Sequence, residues 1–303
     1  MKAETVRVNI PIPSFVDTNG VRLHIITAGD KDGAPVLMLH GFPEFWYAWH
    51  DYITPLAEAG YRVLVPDQRG YNLSDKPKGL DAYRVDVLVA DMIGLLDALD
   101  HEKVHLVGHD WGAVIAWYMA IWHPERIEQL TIANVPHPTV FEAFIRSDVS
   151  QMLKSWYAGS FQIPVLPELA IRANNWQVFS GVLADTPGIT EREVKLYQQA
   201  WAQPGAMTAM LNWYRAVAQR ETLPPVEADG RVRVPTLIVW GKQDPALSNK
   251  MVQPSMDMCD DGHIAWFEDS GHFVQHEKSS EVRDLLLKYF DGGLDAVRAE
   301  TAD

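Results

Sequence analysis

The sequence predicts an α/β fold, a mostly parallel central sheet flanked by helices, with a helical cap inserted into it. Three observations point there. Short apolar runs alternate with stretches of helical periodicity, as expected of strands buried on both faces and joined by crossover helices. One run, Val104 to Val107, enters an apolar helix through Gly108-His109-Asp110-Trp111-Gly112, the Gly-x-nucleophile-x-Gly spacing of a sharp strand-to-helix elbow. Residues 136 to 232 carry helical periodicity and many aromatics but no comparable strand, which marks them as the cap.

The elements follow in order. Residues 14 to 27 read as two strands around Asp17-Thr18-Asn19-Gly20, the second alternating over Val21 to Ile25, forming a β-hairpin exposed on one face. Buried strands are expected at Pro35 to His40, Arg62 to Pro66 and Val104 to Val107, with helices near 47 to 59 and 82 to 99 between them. Further strands are expected at Leu130 to Asn134, Thr236 to Trp240 and Ile264 to Phe267, with a last helix over Ser280 to Tyr289 and a frayed tail from Val297. Residues 1 to 135 and 233 to 303 would form one core domain, and 136 to 232 the cap. The length leans towards two domains, and one domain with an insertion fits it equally well. Most of the cap's Trp156, Tyr157, Phe161, Trp176, Phe179, Trp201, Trp213 and Tyr214 are expected to form its own core.

With 47% hydrophobic and 22% charged residues among 303, the chain falls in the ordinary globular range. A net charge of −14 argues against nucleic acid and anionic membranes as partners, since both would repel it. The single cysteine, Cys259, excludes an intramolecular disulfide and a cysteine-based metal cluster. Met1 to Thr5 has no apolar run behind its charge, and no segment reaches spanning length, so the expectation is a cytoplasmic protein.

The elbow holds Asp110 at its tip, where a serine would serve acyl transfer. A carboxylate attacking an electrophilic carbon makes an alkyl ester, which suits an epoxide or a carbon–halogen bond. That ester must then be hydrolysed, so the site needs a base to activate water and a group to orient the base. Asp244 in Gly241-Lys242-Gln243-Asp244-Pro245 and His272 in Asp269-Ser270-Gly271-His272 follow later strands in the order nucleophile, acid, histidine. Taken singly they read as a turn former and a loop residue. Both fall beyond the carboxyl ends of strands, where open parallel sheets place their sites. His40-Gly41-Phe42-Pro43-Glu44 follows an earlier strand, so the backbone N–H groups of Phe42 and Trp111 are candidates for an oxyanion hole. His40 and Glu44 are supporting candidates, Glu44 either as a surface charge, the preferred reading, or as a group holding water near His272.

HGFPEFWYAW (40 to 49), PDQRGYNLSDKP (66 to 77), VGHDWGAVIAWYMA (107 to 120), SWYAGSFQIPVLPE (155 to 168), MLNWYRA (210 to 216), WGKQDP (240 to 245) and SGHFVQHE (270 to 277) together resemble the epoxide hydrolases of the α/β-hydrolase fold, over roughly residues 15 to 290. HGFP, RGY and GHDWG carry most of that signal. The resemblance implies that Asp110 opens an epoxide while two cap tyrosines bind and protonate the ring oxygen, and that His272, oriented by Asp244, activates water to release a vicinal diol. The matching tyrosines are Tyr157, four residues before Phe161, and Tyr214 in Asn212-Trp213-Tyr214-Arg215. The partners implied are a small apolar epoxide and water, with no cofactor and no metal, and a homo-oligomer remains open.

Haloalkane dehalogenases share the fold, the aspartate and the histidine. Many carry Asn directly after His-Gly, where this chain has Phe42, and some place the acid where it has Asn134. A departing halide needs no proton, which leaves paired phenols without a task. Fluoroacetate dehalogenases carry arginines beside the nucleophile, where this chain has Trp111 and Ile115. A non-catalytic ligand receptor on the same fold is the alternative of another class, and the full set Asp110, Asp244 and His272 speaks against it.

Overall fold

The computed structural model describes residues 11–219 and 229–299. Eight strands form one sheet: β1 Ile12–Thr18, β2 Val21–Ala28, β3 Pro35–Leu39, β4 Arg62–Pro66, β5 Val104–His109, β6 Ile127–Ala133, β7 Thr236–Gly241 and β8 Gly262–Phe267. Their spatial order is β1-β2-β4-β3-β5-β6-β7-β8. β1 pairs antiparallel with β2, and β2 antiparallel with β4; every later pairing is parallel. The chain runs from β3 to β4 on one side and then crosses back to β5 on the other. The crevice between the carboxyl ends of β3 and β5 is therefore the topological switch point, where such sheets bind ligands.

Alternation along the strands divides the core between the two faces. Leu37 and Leu39 of β3 join Leu106, Leu130 and Ile132 in one cluster, packed with helices α2 (Val85–Ala98) and α3 (Trp111–Trp122). Val36 and Met38 join Val63, Val65, Val107, Leu237 and Val239 in the other. That face packs against α1 (His50–Glu58) and α12 (Ser279–Arg298). Each such side chain leaves water completely, worth about 1.5–3 kcal/mol apiece.

Among the described residues six helices occupy the segment between β6 and β7: α4 Pro138–Ser147, α5 Val149–Lys154, α6 Trp156–Ser160, α7 Leu166–Ala184, kinked at Ala173 to Trp176, α8 Glu191–Trp201 and α9 Ala206–Ala218. No strand lies among them in the described residues. The Trp201 indole N–H donates to the Pro43 carbonyl at 2.6 Å, and that of Trp213 to the Arg69 carbonyl at 3.0 Å. Lys154 Nζ donates to the carbonyl of Asp244 at 3.0 Å. These bonds tie the insertion to the loops that leave β3, β4 and β7. Two short helices, α10 (Val252–Met256) and α11 (Val274–Glu277), complete the chain.

Three expectations change. In β2 only Arg22 is exposed, because the strand lies inside the sheet between β1 and β4, and Leu23 and Ile25 enter one core cluster while Ile26 enters the other. The exposed member of the hairpin is the edge strand β1. The last helix extends to Arg298 across a kink at Gly293, since Leu294 and Val297 regain the core face beyond it. The expected fraying from Val297 therefore does not begin there; residues 300–303, like 1–10 and 220–228, lie outside the described residues. No helix among the described residues is long and apolar enough to cross a membrane.

Candidate active site

β5 delivers Asp110 directly. Its backbone has φ 48° and ψ −122°, a conformation that a non-glycine residue adopts only when its surroundings enforce it. The flanking glycines make the turn possible sterically. A Cβ on Gly108 would lie 2.5 Å from the carbonyl oxygen of Gly112, and one on Gly112 would lie 2.2 Å from that of Leu39. The elbow thus holds the Asp110 carboxylate above the switch point.

Two groups meet that carboxylate. The Phe42 N–H donates to Oδ1 at 2.7 Å. His272 Nε2 lies 3.5 Å from Oδ2. Trp111 is the first residue of α3, so its N–H has no acceptor within the helix. Burial by itself raises the Asp110 carboxyl, yet the hydrogen bond and charge of His272, then the charge of His109 and the Phe42 N–H, outweigh it and hold the group below the ordinary carboxylate value.

His272 Nδ1 faces Asp244 Oδ2 at 2.8 Å. Asp244 also accepts from Asn134 Nδ2 at 2.8 Å and from the N–H groups of Ala246 and Leu247 at 2.7 and 2.8 Å. A carboxylate so fully supplied with donors stays ionised, and its carboxyl lies below the ordinary value although burial opposes this. It accepts a proton-bearing Nδ1, which leaves Nε2 directed at Asp110. Burial disfavours a charged His272, but the two flanking carboxylates, Asp244 foremost, push the imidazole well above its usual value.

Tyr157 and Tyr214 come from α6 and α9 and line the same cavity as Asp110 and His272. Their ring centroids are 6.2 Å apart, and the Tyr214 ring stands perpendicular to Trp111 at 5.0 Å. Burial first, and then the Asp110 charge, raise both phenols above their ordinary value. The cavity has a volume of about 580 Å³. Phe161 and Phe179, expected among the insertion's own core, instead help to wall it and pack around the Phe42 ring at 5.7 and 5.2 Å.

His40 is wholly buried. Its Nε2 accepts the Gln68 N–H at 3.1 Å and its Nδ1 meets the Gly41 carbonyl at 3.0 Å; desolvation keeps its pKa low. It braces the loop after β3 and does not line the cavity.

The preferred surface reading of Glu44 is overturned: the residue is 1% exposed. Its carboxylate meets His109 Nδ1 at 2.9 Å and His276 Nε2 at 2.8 Å, and accepts from Gly41 N–H at 3.2 Å. Burial would raise this carboxyl, but the contacts with His109 and His276 hold it far below the usual range. His109 Nε2 in turn lies 2.8 Å from the His272 carbonyl. Glu44 therefore reaches His272 through His109.

Sequence reasoning missed two further braces. Asn134, at φ 52°, donates to Asp244 and to the Gly271 carbonyl and accepts from Gly241 N–H at 3.0 Å. Glu277 accepts from the N–H groups of Gly271 at 2.6 Å and Phe273 at 3.2 Å, one on each side of His272. Asn immediately after a strand was a usable signal for the first; Glu277 had none, since the N–H groups that donate to it precede it in an irregular loop.

The fold and site define an α/β hydrolase with an aspartate at the elbow, and comparison with known proteins agrees. Residues 34–279 match the α/β hydrolase fold family. The AB hydrolase superfamily protein YfhM of Bacillus subtilis is 44% identical over 278 residues, covering 91% of this chain and 96% of that protein. Epoxide hydrolase A of Mycobacterium tuberculosis is 32% identical over 318 residues, covering 93% and 98%. A mutant epoxide hydrolase from Bacillus megaterium, solved with its naphthyloxy-propanediol product, superposes with a TM-score of 0.85 at 30% identity, over 92% of this chain and all of that one. The chain belongs to the α/β-hydrolase-fold family, in the branch that holds the epoxide hydrolases.

Proposed function

We propose that this protein hydrolyses epoxides to vicinal diols through an alkyl ester on Asp110. The observation that carries the reading is the meeting in one cavity of an elbow aspartate, a histidine 3.5 Å from its Oδ2 and two phenols. Oδ1 is held by the Phe42 N–H, so Oδ2 carries the attack on a ring carbon. As the new C–O bond forms, the ring C–O bond breaks, and the departing oxygen remains tethered as an alkoxide. Tyr157 and Tyr214 supply its hydrogen bonds and proton; their raised pKa values keep both phenols protonated at neutral pH.

In the second half His272 Nε2 takes a proton from water, and the resulting hydroxide adds to Cγ of the Asp110 ester. The oxyanion forms at Oδ1, where the N–H groups of Phe42 and Trp111 receive it, a contribution of roughly 3 kcal/mol per donor. Collapse breaks the Cγ–Oδ2 bond, and the leaving Oδ2 takes the hydroxyl proton of the tetrahedral intermediate, so that Asp110 is again a carboxylate. The proton on His272 returns to the phenol that gave up its own. The diol departs with the original Oδ2, and Asp110 retains the oxygen of water.

That exchange gives the test. In a single turnover of styrene oxide in heavy-oxygen water, mass spectrometry should find the label in the peptide containing Asp110 and none in the first diol, and Asp110→Ala should form no diol while keeping the native circular dichroism. Label in the first diol would refute the ester route. Halide release from bromoalkanes without epoxide opening would turn the assignment to a dehalogenase.

A further inference from the structure

The cavity changes character from floor to mouth. Its titratable groups, Asp110, His272 and the two tyrosines, sit with aromatic walls, whereas Trp156, Ile163, Leu166, Val178 and Val182 line the same cavity while remaining open to solvent. Trp156 is 70% exposed and Leu166 59%. Single exposed apolar side chains need no explanation, but a contiguous set rimming a cavity marks a binding surface. Most of the exposed large apolar residues among those described fall between Val149 and Val182. Among the described residues no Lys or Arg lines the cavity, and a carboxylate entering it would meet Asp110 and a His272 already flanked by two carboxylates, on a chain of net charge −14.

Resting on the epoxide-hydrolase reading above, we propose that the substrates of this site are uncharged epoxides bearing an extended apolar tail, the ring lying at Asp110 and the tail running out over the Trp156, Ile163, Leu166, Val178 and Val182 rim. About 580 Å³ is in the range that encloses drug-sized ligands, far more than an epoxide ring occupies. The alternative occupant of the rim is a second copy of this chain. Continuity between rim and cavity favours the tail, because the same side chains line both.

The tail touches the rim equally before and during ring opening, so its contacts lower KM and leave kcat alone. In the series 1,2-epoxybutane, 1,2-epoxyoctane and 1,2-epoxydodecane, kcat/KM should rise by about fourfold per added methylene until the tail leaves the rim, with the change in KM. Leu166→Ser combined with Val178→Ser should cut the dodecane-to-butane ratio of kcat/KM at least about tenfold. Binding read without turnover, by calorimetry, should follow the same order for butanamide, octanamide and dodecanamide, and dodecanoate should bind more weakly than dodecanamide.

Diol formation with no chain-length dependence overturns the inference and leaves the hydrolase reading standing. Chain-length-dependent amide binding with no diol from any epoxide overturns the hydrolase reading and keeps the apolar-tail site. Tighter binding of dodecanoate overturns the uncharged class. A dimer in solution that the double variant dissociates, with an unaltered dodecane-to-butane ratio, assigns the rim to self-association and likewise overturns the inference.

Discussion

At the scale of single residues, the arrangement around His272 explains how one imidazole can serve a two-stage reaction. Two carboxylates face it, Asp244 at 2.8 Å and Asp110 at 3.5 Å, and both raise its pKa. Esterification of Asp110 removes one of the two charges, so His272 loses its hold on the proton at the stage where a base is needed. Asp110→Asn reproduces that neutral state without substrate. The His272 titration midpoint, followed by nitrogen NMR of the ring, should fall by about 1–3 units in this variant; an unchanged midpoint would assign the whole shift to Asp244. Asp110, Asp244 and His272 were readable from sequence because each lies on the turn or loop that leaves a largely apolar strand, Asp110 directly after β5, Asp244 three residues after β7 and His272 five after β8. Glu44 was not, because a charged loop residue gives no sign of burial until its partners are known. His109 and His276 lie 65 and 232 positions away.

At the scale of elements, the elbow and the loop after β8 are held by backbone contacts. Gly112 packs its α-carbon against the backbone of β3, with no flexible side chain to yield. Gly112→Ala should destabilise the protein by about 1–3 kcal/mol or more, seen as a lower urea midpoint, and should depress kcat because Asp110 turns with the helix. Gly181, inside α7 with open space around it, is the contrasting site, and Gly181→Ala should be stabilising by about 0.5–1 kcal/mol.

Glu277 grips the loop on both sides of His272, and its removal frees the base without touching it. Glu277→Ala should lower kcat on styrene oxide by about 10–100-fold with little change in KM, and Glu277→Gln, which keeps one acceptor oxygen, should recover part of it. An equal loss in both variants would argue for the charge in place of the grip. The parallel strands were legible as apolar runs, and the helical character of the insertion was legible from its periodicity. The burial of β2 was not, because its alternation fits an exposed strand and only the sheet order places it between two neighbours. Nor was the division of the insertion's aromatics, where Trp201 and Trp213 anchor the segment while Phe161 and Phe179 wall the cavity, since helical spacing alone does not tell which face meets the core.

At the scale of the whole molecule, three depressed carboxyls, Glu44, Asp110 and Asp244, stand at the carboxyl ends of β3, β5 and β7. They link the pH dependence of stability to the site. A carboxyl depressed in the folded state stabilises fully above its unfolded value, near 3.9 for Asp and 4.3 for Glu, and loses that contribution as pH falls through the folded value. Asp91, buried with Arg69 and raised in the folded state, acts in the opposite sense. His272, also raised, adds stability that is complete below about 6.5 and is lost as pH rises through its folded value. The three depressed groups outnumber Asp91. Unfolding free energy from urea titrations should therefore fall steeply below about pH 4, with the native state taking up fewer protons than the unfolded chain. In Asp110→Asn one of these protons disappears from the balance, so the slope below pH 4 should flatten by part of a proton equivalent, while alkaline stability should begin to fall at lower pH because His272 retains only Asp244. An acid limb identical to that of the wild-type protein would mean that Asp110 is not depressed in the folded state, and that the His272 contact seen at 3.5 Å does not hold its charge in solution.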